Sequence, residues 1–385
     1  MYLTVEASDL NRILSVVKGC VPNRTTIPLL QHILVIGSGS TLTVKATNMD
    51  REAEASCPAQ LDENCLLVLP GEMFCGIIRR LPPGAQVSLN LKANHRVEVT
   101  SGSSKFVLRT LDNADEFPSL AANLDNGVSF MMNAQDLKQL LTRTAYASVK
   151  EVTTDPELYG VCLHKDGDKL VAVSSNRKQL GRWTMDLPMG AEVLPDDILI
   201  PLDGAEKMAA VLEGMSGDVK VSATNSMIGI STETMRFSTK LVGHKFLSYQ
   251  KLLPKSTDAH IVVHPVALKD AVERAMMVYS GPTEVKQRLA QLDCSDGKIV
   301  LSMGTLDADL AHEEIEADVK EAKCFIVDAR FLSELLRQWP EDADIEIQQA
   351  QMGKPICCMS KKHSGILHLL MPQAKRKMEV VERAA

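Results

Sequence analysis

Signatures of the common catalytic sites are missing from these 385 residues. There is no P-loop, no Gly-x-Gly-x-x-Gly after a strand, no Gly-x-Ser-x-Gly and no His-Glu-x-x-His. Each absence removes a chemistry: nucleotide cradling, dinucleotide binding, serine hydrolysis and zinc proteolysis. Cys-x-x-Cys is missing too. The nine cysteines are scattered, and an odd total argues against a disulfide framework, so a reducing compartment is expected. No apolar run approaches a bilayer span and none at the start reads as a signal peptide, which leads us to expect a soluble, cytoplasmic chain with no membrane partner. A basic excess is also lacking. With 42 Lys and Arg against 49 Asp and Glu, the net charge is −7. That excludes a chain coated in basic residues but leaves room for a local basic surface.

Three weak constellations remain. His260 and His264 would share a strand face as a metal pair might, but Pro265 follows and no third ligand is suitably spaced. Cys357-Cys358 could be a redox pair, although one of two strand neighbours normally faces the core. Asp112, Asp115 and Glu116 could hold a cation, but they sit in a polar linker. We therefore expect no catalytic residues, no metal and no cofactor. A large chain without an active site reads as a platform.

What is present is repetition. Residues 65–89 read as a short apolar strand, a helix of about three turns with Met73, Ile77, Ile78 and Leu81 on one face, a Pro-Gly turn and a second strand. The same plan recurs from Asp197, with a helix over 204–213 and a strand over 219–222. It recurs again from Cys324, with a helix over 329–338 and a strand over 345–348. The anchors Pro70, Pro201 and Asp328 stand roughly 130 residues apart, the length of a domain rather than of a solenoid repeat. A second marker keeps the same spacing: a strand followed by a helix carrying Leu10, Leu137 or Leu268, the first helix capped near Ser8-Asp9.

We therefore expect an α+β chain of three repeated domains, 1–123, 127–254 and 259–375, with a charged extension at 376–385. Each repeat reads as two helices packed on antiparallel sheets of about eight short strands. Their open edges are satisfied most economically when one repeat's sheet continues into the next. The helices carry Arg12, Lys18, Arg79, Arg80, Lys138, Arg143, Lys207, Lys269, Arg274, Arg330 and Arg337 among acidic residues. Such faces are either ordinary solvated surface or a diffuse surface that tracks phosphates without reading bases.

Several segments together resemble the bacterial DNA polymerase III β subunit family, the replicative sliding clamps. They are Arg24-Thr-Thr-Ile-Pro-Leu-Leu, Ile77-Ile-Arg-Arg-Leu-Pro-Pro-Gly, and Ser101-Gly-Ser-Ser-Lys-Phe-Val-Leu leading to Asp115-Glu-Phe-Pro-Ser-Leu. Lys240-Leu-Val-Gly-His-Lys-Phe246, Leu252-Leu-Pro-Lys255 and Leu370-Met371-Pro372 complete the match, with Phe246 and Tyr249 at the family's aromatic positions.

The resemblance implies a crescent of three clamp domains that pairs with a second copy into a ring, helices inside and sheets outside. It implies a non-catalytic processivity factor that encircles duplex DNA and tethers DNA polymerase III, clamp-loader subunits and other proteins carrying clamp-binding motifs. DNA contact would fall to Arg24, Arg79, Arg80, Lys138 and Lys207. The homodimer interface would set Phe106 and Leu108, flanked by Lys105, against Met277 and Val278. The partner-peptide pocket would have Leu158, Leu180, Leu247, Leu252, Leu369, Met371 and Pro372 as its floor and Ser175 and Phe331 at its edges.

The chain also departs from the family pattern. Ser175-Asn-Arg-Lys-Gln-Leu180 stands where the family commonly has Thr-Asp-Gly-His-Arg-Leu, and Leu247 replaces a proline. Pro156 and Glu157 replace an aromatic pair, Gln373 sits in a divergent ending, and the chain runs on past it. These changes suggest a specialised or accessory clamp with altered partner preference. A scaffold that keeps the fold without encircling DNA, or an enzyme with a site assembled only in three dimensions, stays as the alternative.

Overall fold

The computed structural model describes residues 2–92, 95–120, 124, 126–152, 155–254, 260–278, 288–304, 310–351 and 353–373. The charged extension 376–385 lies outside them. The chain forms two compact units, Met1–Lys138 with Pro188–Gly243, and Gln139–Leu187 with His244–Ala385. Six α-helices are found among the described residues: α1 (Ala7–Lys18), α2 (Gly71–Ile78), α3 (Ala134–Ala145), α4 (Leu202–Val211), α5 (Pro265–Val278) and α6 (Ala329–Gln338).

The first unit holds two antiparallel sheets. One runs in the order 60–61, 2–6, 86–92, 96–101, 104–109, and 104–109 is a free edge. The other runs 128–133, 218–223, 227–231, 235–240, 51–58, 41–47, 32–38, 65–70. Its central pairing sets Met235–Thr239 against Arg51–Ala55, strands from two different sequence repeats. In the second unit the same junction appears where Gln179–Trp183 pairs with Ile366–Leu370. Continuation of one repeat's sheet into the next is thus met at both places. It satisfies a row of backbone donors and acceptors that each repeat alone would leave open.

Helices cover these sheets in pairs, α1 beside α2 and α5 beside α6. α1 buries Ala7, Leu10, Ile13, Leu14 and Val17, the i, i+3, i+4 stripe that drives amphipathic packing. α1 begins one residue before Ser8, and Glu6 at its N-cap makes no side-chain cap bond. The cap read at Ser8-Asp9 therefore lies inside the first turn, where the Ser8 hydroxyl donates to the Glu6 carboxylate instead. α2 is eight residues long, shorter than three turns, and buries Phe74, Cys75 and Ile78 while Met73 is 57% exposed. It tightens at Arg79 and Arg80, ahead of Pro82 and Pro83, which cannot continue a helix. α6 has the bounds read from the sequence, with Asp328 accepting from the Arg330 amide at its N-cap.

The polar segment 112–120 is docked rather than loose. Buried Glu52 accepts from the Leu120 amide at 2.7 Å and pairs with Lys45 at 3.2 Å. Lys45 in turn donates to Ser119 at 2.7 Å. Both charges are almost fully covered, so each depends on the other for its solvation. Replacing Glu52 by Ala strands the ammonium of Lys45, and we expect a loss of about 3 kcal/mol. In urea denaturation, the double variant Lys45→Met/Glu52→Leu should recover most of it.

Candidate partner pocket and cation sites

The pocket residues implied by the resemblance all fall in the second unit. Pairing of 179–186 with 366–370 sets Leu180 opposite Leu369. Beyond that ladder the Met371 amide donates to the Lys178 carbonyl at 2.8 Å, and the Gln373 amide to the Ile326 carbonyl at 2.8 Å. Residues 371–373 therefore run from the 175–180 turn to the strand that feeds α6. Phe331, in the first turn of α6, lies 6.0 Å from the Lys178 ammonium and 5.9 Å from the Arg330 guanidinium. These contacts bring Leu180, Leu369, Met371 and Phe331 into one neighbourhood.

Exposure sorts the set. Leu158, Leu180 and Leu369 are buried, and Leu247, Phe331, Met371 and Pro372 are partly open. Leu252 is 44% exposed, the most open of the nine. Leu247 and Leu252 sit on a segment pinned by Tyr249, whose buried ring meets Phe246 edge-on and whose hydroxyl bonds His164 at 2.8 Å. Ser175 is not at an open edge. It is buried and builds the turn, donating to the Gln179 carbonyl at 2.8 Å and accepting from the Arg177 amide at 3.1 Å.

Arg177 departs from ordinary backbone geometry. Its φ of 67° lies in the left-handed region, which costs a side-chain-bearing residue about 1 kcal/mol. Its guanidinium reaches Asp155 at 2.7 Å and Glu157 at 3.0 Å. The resemblance alone does not assign Arg177 or Lys178. The usable signal is an arginine at a position where the family pattern has glycine.

Behind the pocket strand lies a buried polar layer. The His368 ring packs tilted against both Tyr146 and Trp339, with centroids 5.5 Å apart in each case and Nδ1 bonded to the Tyr146 hydroxyl at 2.5 Å. Among the described residues its buried Nε2 has no hydrogen-bond partner. Burial, helped by the charge of Arg143, pushes the imidazole down to about 3, whereas it titrates near 6.5 in the unfolded chain. The unfolded chain thus binds the extra proton first, so stability is full above pH 6.5 and falls as acid is added between the two values. One such group contributes at most about 1.4 kcal/mol per pH unit. In urea titrations from pH 7 to pH 4, His368→Asn should show a shallower stability slope than the parent.

The helix cations divide by partner. Arg12 pairs with Asp9, Lys18 with Glu72, Lys138 with Glu213, Lys269 with Glu341, Arg274 with Glu313, Arg330 with Asp328 and Arg337 with Glu273. Arg143 donates to the Gln338 carbonyl at 2.6 Å and stacks on Trp183. Arg80 donates to the Gly76 carbonyl at 2.8 Å. Arg24, Arg79 and Lys207 are exposed, and among the described residues no carboxylate pairs with them. Lys207 projects from α4 with its stem against Gly19 at the end of α1. It lines a groove of about 520 Å³ together with Lys18, Arg51 and Asn23.

On the implied interface, Lys105, Phe106 and Leu108 lie on the free edge strand 104–109, with Phe106 half-buried and Leu108 buried. Lys105 pairs with Glu98 at 2.6 Å. Met277 near the end of α5 is 83% exposed, and the Val278 side chain lies outside the described residues.

The weak constellations resolve otherwise. His260 pairs with Glu321 at 2.7 Å, and the Asp112 carboxylate meets His95. No group of three or more potential metal-binding side chains is found among the described residues. Cys357 and Cys358 are both buried, because their strand is interior to its sheet with both faces covered. Burial pushes the Cys357 thiol up to about 12 and the Cys358 thiol higher still. No helix among the described residues is long and apolar enough to cross a membrane.

Comparison with known proteins gives these sites a context. A family model described as the DNA polymerase III beta subunit, N-terminal domain, matches residues 1–121, and the corresponding central-domain model matches residues 131–247. The beta sliding clamp of Caulobacter vibrioides is 26% identical over 380 residues, covering 97% of this chain and 99% of that protein. That of Escherichia coli strain K12 is 27% identical over 326 residues, covering 84% of this chain and 86% of that one. Among solved structures, a Caulobacter crescentus beta sliding clamp superposes with a TM-score of 0.88 at 26% identity, covering 97% of this chain and 99% of that one. A Bartonella birtlesii sliding clamp bound to griselimycin gives 0.87 at 25% identity, covering 97% of this chain and all of that one, 100%.

Proposed function

Because this chain belongs to the bacterial DNA polymerase III β subunit family, the sliding clamps, we propose that two copies close into a ring around duplex DNA. The ring is a non-catalytic processivity factor: it holds DNA polymerase III and other replication and repair proteins by topology rather than by tight contact. The observation that carries this reading is the match of fold and sequence along 97% of the chain to beta sliding clamps. We assign three clamp domains to 1–123, 127–254 and 259–375, an extension to 376–385, and the cytoplasm as the place of action.

Arg24, Arg79, Arg80, Lys138 and Lys207 are our DNA contacts, with Arg24, Arg79 and Lys207 the ones least committed to other groups. A few long cations reaching phosphates through water suit sliding, since tight contacts would stall it. In fluorescence anisotropy with duplex DNA between about 50 and 200 mM salt, the slope of log K against log salt should shrink by about 0.9 for each phosphate that is no longer neutralised. We expect this of Arg79→Glu and of Lys207→Glu. An unchanged slope in both would remove these residues from the DNA surface.

The free edge at 104–109 is our dimer contact, with Phe106, Leu108 and Lys105 against Met277 and Val278 of the other copy. Static light scattering should give twice the 42.1 kDa chain mass across a dilution series. Phe106→Asp should weaken the dimer by roughly 2 kcal/mol or more, as loss of an aromatic interface anchor does, and yield the single-chain mass on dilution.

Leu158, Ser175, Leu180, Leu247, Leu252, Phe331, Leu369, Met371 and Pro372 form our partner-peptide pocket, and we take it as the place where griselimycin would bind this chain. A specialised clamp with its own partner preference is favoured over a generic one by Arg177, which occupies a left-handed position where the family pattern has glycine.

A further inference from the structure

Two turns meet in one ion cluster, and one of them carries a side chain, that of Arg177, at a left-handed backbone position. The Arg177 guanidinium lies 2.7 Å from the Asp155 carboxylate and 3.0 Å from that of Glu157. Asp155 and Glu157 flank Pro156 in the turn 156–158, which ends in buried Leu158. Arg177 sits in the turn 175–180, which ends in buried Leu180. The cluster thus ties together the two short segments that deliver these leucines.

Its chemistry suits a latch. The Arg177 side chain is 60% exposed and the two carboxylates 31% and 33%, so salt reaches and screens the pairs. The left-handed backbone at Arg177 is one that glycine would adopt without strain, and among the described residues the hydrogen bonds of its guanidinium go to this cluster.

We propose that the cluster of Arg177, Asp155 and Glu157 is a specificity-determining latch that holds the Leu158 and Leu180 end of the pocket closed against short, uncharged apolar peptides. The inference rests on the pocket assignment above. Arg177 is a positioning residue: it fixes how far apart the two leucine-bearing turns stand, and does not itself fill the pocket. Partners of this clamp are those whose binding elsewhere along the pocket offsets opening the latch.

The test uses the full-length protein and two probes. Griselimycin reports whether the pocket binds at all, and the capped peptide acetyl-Leu-Ala-Leu-Phe-amide reports access to its apolar floor. Arg177→Gly suits the left-handed backbone and so keeps the fold, and Asp155→Asn/Glu157→Gln breaks the pairs without touching that turn. In calorimetry, both variants should bind the peptide roughly threefold to tenfold more tightly than the parent, the scale of two exposed ion pairs. Arg177→Lys, which keeps one charge contact, should fall between. Raising salt should tighten binding to the parent but leave Arg177→Gly unchanged, a response that a purely structural role would not produce. Equal peptide affinity in all four proteins, with griselimycin still bound, would overturn the latch and leave the pocket standing. Failure of every protein to bind griselimycin would overturn the pocket assignment and the latch with it.

Discussion

Two antiparallel pairings, 235–240 against 51–58 and 179–186 against 366–370, join strands that belong to different sequence repeats. Each removes an open sheet edge from both of its repeats at once. A strand edge left bare in water invites pairing with any other chain, so a repeated α+β module is safe only when its edges are used. At these junctions backbone hydrogen bonds, rather than particular side chains, do the joining. Sequence can therefore drift to about a quarter identity with relatives while the fold persists.

The side chains that matter are those placed by these ladders. Leu180 meets Leu369 because the second junction fixes its register, and the segment after it runs on past Lys178 to α6. His368, which packs against Tyr146 and Trp339 in the buried layer, lies on the same strand as Leu369, so core packing and the pocket floor share one element. In the other unit Arg12, Lys18 and Lys138 are held by carboxylates and Arg80 by a backbone carbonyl, which leaves few uncommitted helix cations to meet a polyanion. An acidic chain can thus tolerate DNA without gripping it.

Much of this is legible in the sequence where a local signal exists. α6 and the strand 345–348 match the reading residue for residue, since Asp328 caps the helix and Pro340 follows its end. α2 is shorter than its pattern suggests, because Met73 and Leu81 fit a helical period that the prolines after it cut short. The strand 179–186, Gln-Leu-Gly-Arg-Trp-Thr-Met-Asp, alternates only from Arg182 on, and although one neighbour is the adjacent strand 169–175, the other, 366–370, lies more than a hundred residues away and leaves no local signal. The contact of Arg177 with Asp155 and Glu157 is hidden for the same reason: three polar residues in two turns carry no periodic signal. The resemblance supplies the pocket's membership, and burial then divides it into a closed floor and an open rim.

The central claim is topological, and one measurement reaches it most directly. The protein is loaded by its clamp loader onto nicked circular duplex DNA, washed at high salt, and its retention is followed before and after the circle is cut. A closed ring stays on the circle through the wash and slides off once an end is made. Loss from the circle in salt, or equal retention on circle and linear DNA, would show binding by contact instead and contradict the account.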